Sequence, residues 1–125
     1  MTQSLEDYLE MISFLADEGD VRVTDIAVRL KVSKPSVLNA LKTLESQGFL
    51  HHAHYSTVQL TEKGIAGAAA IRERHRFLTI FLRDVIGVSP EIAEKDACSM
   101  EHFLSEETLE KLQQISQEKR IKPLA

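Results

Sequence analysis

Cys98, Glu101 and His102 fall at i, i+3 and i+4. On a helix that spacing puts a thiol, a carboxylate and an imidazole on one face. Together they are a mixed donor set for a first-row transition metal. Asp7 and Glu10 are likewise i, i+3 near the start of the chain, and His75 is a lone imidazole among Arg72, Arg74 and Arg76. None of these segments closes a site by itself. Brought together, Asp7, Glu10, His75, Cys98, Glu101 and His102 offer six potential ligands, for one divalent ion or for a pair. Taken singly, each also has a plain reading: a buried thiol beside a surface pair, a solvated acidic face, a polar helix residue. The run His51-His52-Ala53-His54 is a rival metal site, but a strand puts only His52 and His54 on one side, with no carboxylate or thiolate beside them. Cys98 with His102 is also a conceivable nucleophile and base, yet no oxyanion donor set or glycine-rich turn accompanies them.

The elements that must carry these residues can be read from periodicity and punctuation. Leu5, Leu9, Ile12 and Ala16 have helical spacing, and Gly19 stops that first helix. Thr24 is the expected cap of a second helix through Ile26, Ala27 and Leu30. Val32-Ser33-Lys34-Pro35 reads as a turn into a third helix over about 34–47, striped by Val37, Leu38, Leu41 and Leu44 and ended by Gly48. Residues 49–60 read as two short strands around a polar tip at His54, Tyr55 and Ser56. Thr61 then caps a long helix over roughly 62–86, closed by Gly87. Ser89-Pro90-Glu91 starts a further helix reaching about Leu104. Ser105-Glu106-Glu107 starts the last one, with Leu109, Leu112 and Ile115 on one face and a polar tail from Gln117 expected to fray.

Three helices and a hairpin within about 60 residues is the order of a winged helix-turn-helix. The fold class is therefore mainly α, with a two-stranded wing. The charge needs a local reading. The 125 residues carry 15 Lys+Arg against 19 Asp+Glu, a net −4, which argues against a non-specific nucleic-acid coat. Yet Ile26 to Leu44 holds Arg29, Lys31, Lys34 and Lys42 and no acid. The early residues of the third helix, Ser33, Lys34, Pro35, Ser36 and Asn39, are predicted to face the major groove, where Asn pairs bidentately with adenine. Arg29, Lys31 and Lys42 suit phosphates, and Tyr55 at the wing tip suits the backbone. Aromatics make up only 6%, with no Trp, which argues against a single-strand stacking platform. One cysteine allows no internal disulfide and fits a reducing, cytoplasmic setting. Neither a membrane span nor a secretory signal is expected.

These residues carry a resemblance. Leu5-Glu6-Asp7-Tyr8-Leu9-Glu10, Thr24-Asp25-Ile26-Ala27, Val32-Ser33-Lys34-Pro35-Ser36-Val37, Leu60-Thr61-Glu62-Lys63-Gly64, Arg74-His75-Arg76 and Ala97-Cys98-Ser99-Met100-Glu101-His102 stand in the order found in the diphtheria toxin repressor family. The chain is most similar to that family's short manganese transport regulator branch. The resemblance implies a winged-helix DNA-binding domain, residues 1–62, followed by a helical metal-binding and dimerisation domain, residues 63–125. It implies a homodimeric repressor that binds palindromic operator DNA when loaded with a divalent transition metal, Mn²⁺ or Fe²⁺, and controls metal-ion homeostasis genes. Asp7, Glu10, His75, Glu101 and His102 match the manganese branch's ligands. Cys98 departs from that branch, which has glutamate there, and agrees with the iron branch, which in turn has methionine in place of Asp7. A thiolate extends the candidate metals to Co²⁺ and Zn²⁺. Thr79 and Glu94 stand where the iron branch's auxiliary site has a carboxylate and a histidine, so an auxiliary site of that type is not expected. Two other readings of the residues are an oxidation sensor acting through Cys98 and a small metal-dependent hydrolase.

Overall fold

The computed structural model describes residues 1–53 and 57–121. In chain order its elements are α1 (Gln3–Glu18), α2 (Val23–Leu30), α3 (Lys34–Ser46), β1 (Leu50–His52), β2 (Val58–Leu60), α4 (Glu62–Ile80), α5 (Pro90–Met100) and α6 (Glu106–Ile121). A π-helical turn over Phe81–Ile86 prolongs α4. The elements form two compact units that divide between Arg72 and Glu73, inside α4.

In the first unit, Thr2 caps α1 by accepting from the Leu5 amide at 3.2 Å. Tyr8, Leu9, Ile12 and Leu15 form its buried stripe. The second helix starts at Val23 with Arg22 at the cap, so Thr24 lies inside the first turn and not at the cap predicted for it. The cause is non-local. The Val58 amide donates to the Val21 carbonyl at 2.8 Å. That bridge fixes Val21 as extended, and the Arg22 carbonyl at once accepts the first helical bonds from Asp25 and Ile26. Ser33 caps α3 through the Ser36 amide, with Pro35 in the first turn, and Val37, Ala40, Leu41 and Leu44 turn inward. The wing is antiparallel, pairing Leu50 with Leu60 and His52 with Val58. Leu50 and Val58 point into the same core as Ile12, Ile26 and Leu41. Each such fully buried aliphatic side chain contributes roughly 1.5–3 kcal/mol.

The start of α4 is fastened to the turn before the wing. Thr61 Oγ1 donates to the Gly48 carbonyl at 2.6 Å and accepts from the Gly64 amide at 3.1 Å. Lys63 Nζ donates to the Gln47 carbonyl and lies 4.5 Å from the Phe49 ring centroid. Gly64 is required by close approach: a Cβ there would sit 1.9 Å from the Phe49 carbonyl oxygen. Further on, Ala68 and Ile71 pack with Leu9 of α1, which explains why this half of α4 belongs to the first unit. Arg72 completes the attachment, bonding Ser13 and Asp17 at 3.1 Å and covering the Phe14 ring.

In the second unit, Leu78, Phe81, Ala93 and Ala97 are buried. Gly87, at φ +90, ends the π-helical turn and donates to the Leu82 carbonyl. Such a left-handed cap suits glycine because no Cβ meets the backbone. Ser89 caps α5 as expected, but the regular helix stops at Met100 rather than near Leu104. Glu101 keeps helical dihedrals, and the Phe103 and Leu104 amides both turn back to the Met100 carbonyl. Ser105 caps α6 through the Thr108 amide. The segment from Gln117, expected to fray, is helical through Ile121.

Candidate metal centre and DNA-facing helix pair

The second unit brings together one imidazole from α4 with the acid and thiol of α5. Donor atoms of His75, Cys98 and Glu101 all lie within 4.8 Å of one another. That spread is comparable to two metal–ligand bonds, about 4–5 Å. Small residues make the approach of the helices possible: Ala93 and Ala97, both with no measurable exposure, line the inner face of α5. His75 Nδ1 lies 2.9 Å from Glu101 Oε2. His102 Nε2 lies 3.2 Å from Glu101 Oε1, and both of those side chains are almost wholly buried. Cys98 is exposed. Glu101, at the C-cap of α5, keeps helical dihedrals and joins Cys98 in this cluster, while His102 follows in a turn and is not among its three members.

Glu94 is the residue the sequence reading set aside. Its Oε1 lies 2.7 Å from His75 Nε2, and its Oε2 lies 3.5 Å from Thr79 Oγ1. Glu94, Cys98 and Glu101 fall at i, i+4 and i+7, one helical stripe, but spacing alone does not distinguish Glu94 from a solvated helix acid. Burial works against charging His75, but hydrogen bonding and charge from Glu94 and Glu101 outweigh it and hold the imidazole pKa above its ordinary value. Burying a carboxylate such as Glu101 is expensive unless it has cationic or hydrogen-bonding company. A soft thiolate, a borderline imidazole and a buried hard carboxylate together suit a divalent transition ion, so the residues present fit one.

Asp7 and Glu10 lie in the first unit, one turn apart on α1 and half-buried.

The predicted DNA-facing residues are on the surface of α2, the turn and α3. Arg29, Lys31, Ser33, Lys34, Pro35, Ser36, Asn39 and Lys42 are all exposed. Arg29 pairs with Glu18 at 3.1 Å. Both partners are solvated, and such a pair contributes only about 0–1 kcal/mol. Ser33 and Ser36 have their hydroxyls 2.9 Å apart, and the Ser33 hydroxyl also serves the helix cap. Lys31 ends α2 in the left-handed region, at φ 57. A lysine there costs about 1–2 kcal/mol relative to the right-handed conformation. Glu45 of α3 reaches the wing, accepting from the His52 amide at 2.9 Å. Tyr55, with His54 and Ser56, lies outside the described residues.

Residues 1–58 match the family model of the iron-dependent repressor N-terminal DNA binding domain, and residues 61–123 match that of the iron-dependent repressor metal binding and dimerisation domain. The chain belongs to the iron-dependent repressor family. The transcriptional regulator MntR of Salmonella typhimurium is 48% identical to it over 107 residues, 85% of this chain and 68% of the relative. An uncharacterised HTH-type transcriptional regulator of Methanocaldococcus jannaschii is 38% identical over 114 residues, 90% of this chain and 91% of the relative. The solved structure of the metal-dependent transcriptional regulator MtsR aligns with a TM-score of 0.81 at 27% identity, covering 94% of this chain. The chain spans about half of that solved structure, 55% of its length. Membership sets the class: a metal-dependent transcriptional regulator rather than an enzyme, which removes the hydrolase reading. Among the described residues no helix is long and apolar enough to cross a membrane.

Proposed function

We propose that this iron-dependent repressor family member is a cytoplasmic homodimer that represses metal-homeostasis genes by binding palindromic operator DNA when loaded with Mn²⁺ or Fe²⁺. The observation that carries the reading is the convergence of His75, Cys98 and Glu101 donor atoms within 4.8 Å, in a chain whose α3 presents an exposed basic face. The ligand set is Asp7, Glu10, His75, Cys98, Glu101 and His102, of which Asp7 and Glu10 rest on the family resemblance. The thiolate of Cys98 makes Co²⁺ and Zn²⁺ competing ions. Residues 1–62 form the DNA-binding domain, and residues 63–125 form the metal-binding and dimerisation domain.

A bound ion would supply positive charge to the carboxylates. Without it, Asp7, Glu10 and Glu101 are like charges whose approach is unfavourable. Glu101 is buried beside His75 and His102, where added positive charge is favourable. On the DNA side, Lys34, Pro35, Ser36 and Asn39 meet base edges, while Arg29, Lys31, Lys42 and Tyr55 hold phosphates. Arg29 gives up an exposed pair with Glu18 to do so, at little cost. Dimer symmetry sets two recognition helices one helical turn of DNA apart, or a multiple of that. Linkage makes the coupling reciprocal, so operator DNA tightens metal binding.

The test is operator binding by the full chain, titrated with Mn²⁺, Fe²⁺, Co²⁺ and Zn²⁺ under anaerobic, reducing conditions. Glu101→Ala and His102→Ala are each expected to abolish metal-stimulated binding while circular dichroism stays helical. Metal-dependent operator binding unchanged in both variants would sink the assignment. The exposure of Cys98 favours one alternative, oxidation sensing. A Cys98→Ser variant that still answers to metal, in a protein whose DNA binding ignores peroxide, rules that alternative out.

A further inference from the structure

His75 faces two carboxylates with its two ring nitrogens. Nδ1 lies 2.9 Å from Oε2 of buried Glu101, and Glu101 belongs with Cys98 and His75 to the candidate donor cluster. Nε2 lies 2.7 Å from Oε1 of Glu94, whose side chain is 63% exposed. Thr79, one turn further along α4, donates to the His75 carbonyl at 2.8 Å and stands 3.5 Å from the second oxygen of Glu94. Glu94 is thus held against the outer edge of the ring, while Glu101 holds the inner edge.

An imidazole that gives one nitrogen to a metal carries its proton on the other, and the partner of that proton sets the tautomer and the ring plane. From this geometry we propose that Glu94 is a positioning residue: its carboxylate accepts the Nε2–H of His75, fixes the ring, and leaves Nδ1 as the donor to the metal. The inference rests on the metal-centre reading above and adds to it an outer residue and a choice of nitrogen. An anionic acceptor also makes the ring a stronger donor than a water or a neutral side chain would. Glu94 itself touches no metal in this arrangement. Its place on the same helical stripe as Cys98 and Glu101 means that one rigid helix, α5, sets the ligands and the orienting group together.

The experiment uses the full chain labelled with ¹⁵N-histidine and Zn²⁺ as a diamagnetic probe. In the wild type loaded with Zn²⁺, long-range ¹H–¹⁵N spectra are expected to show His75 protonated at Nε2 and zinc-bound at Nδ1. Glu94→Ala is expected to weaken Zn²⁺ binding about 10–100-fold and to expose the Nε2 proton to rapid solvent exchange. Glu94→Gln retains an oxygen that can accept the same bond, so it should restore the protected proton and part of the affinity. A merely structural role would leave the alanine and glutamine variants alike in the spectrum. Zinc at Nε2, or a Glu94→Ala affinity within twofold of wild type, overturns the positioning role while leaving the metal centre standing. Absence of Zn²⁺ binding in the wild type overturns both.

Discussion

The imidazole of His75 has two acidic neighbours and sits partly out of water, and those facts oppose each other. Burial disfavours its charge, while Glu94 and Glu101 favour it and prevail, so the folded pKa lies above the ordinary value. The sign follows from linkage. In the metal-free protein this contact stabilises the fold fully below the ordinary imidazole pKa, about 6.5. That contribution is lost as pH rises through the higher folded value. Chemical denaturation of chelator-treated protein from pH 5.5 to 8.5 should therefore show a stability decline that His75→Gln removes. A metal must displace the same proton, and the thiol proton of Cys98 with it, so Zn²⁺ affinity should fall with acidification over that range, with about two protons released per ion at its acidic end. Cys98, Glu101 and His102 could be singled out as candidate donors from residue type and spacing alone, as a thiol, a carboxylate and an imidazole at i, i+3 and i+4. Glu94 could not be: a carboxylate at that place also reads as a solvated helix surface, and only the approach of α5 to α4 gives it an imidazole to hold.

At the scale of elements, two backbone positions carry opposite lessons. Gly64 lies where a Cβ would strike the Phe49 carbonyl, so Gly64→Ala is expected to cost on the order of 3 kcal/mol in urea unfolding. Lys31 lies where glycine would be easier. Replacing it, Lys31→Gly, should leave stability unchanged or raise it by up to about 1 kcal/mol. The same variant should lower the salt slope of operator binding by about 0.9 per subunit, the signature of one lost phosphate contact. A variant that binds DNA with an unchanged slope would remove Lys31 from the interface. Most of the helices were readable because their ends are written in local chemistry: Ser33 with Pro35, Thr61, Ser89 with Pro90, Ser105 and Gly87. The start of α2 was not, because a strand partner 37 residues away, Val58, decides it. The π-helical turn over Phe81–Ile86 was likewise invisible, since its apolar spacing continues that of α4.

For the whole molecule, a net charge of −4 is compatible with DNA recognition because the acids and bases are sorted. The exposed stretch from Arg29 to Lys42 is free of acids, whereas Glu101 is buried against two histidines. A metal that binds only the folded chain should add stability by mass action, about 2.7 kcal/mol when free metal is a hundredfold above its Kd. Thermal unfolding with Mn²⁺, then with added chelator, should show that gain appear and vanish. Equal melting curves in both states would mean the ion does not report on the fold. The bridge between Val21 and Val58 has a separate consequence, for the order of events during synthesis. The winged-helix core takes its last strand from residues that leave the ribosome well after the three helices have emerged. Until Val58 arrives, the Val21 carbonyl and the inner face of β1 lack their partners. The nascent domain is therefore expected to remain sensitive to protease until β2 is out, and then to become resistant in one step.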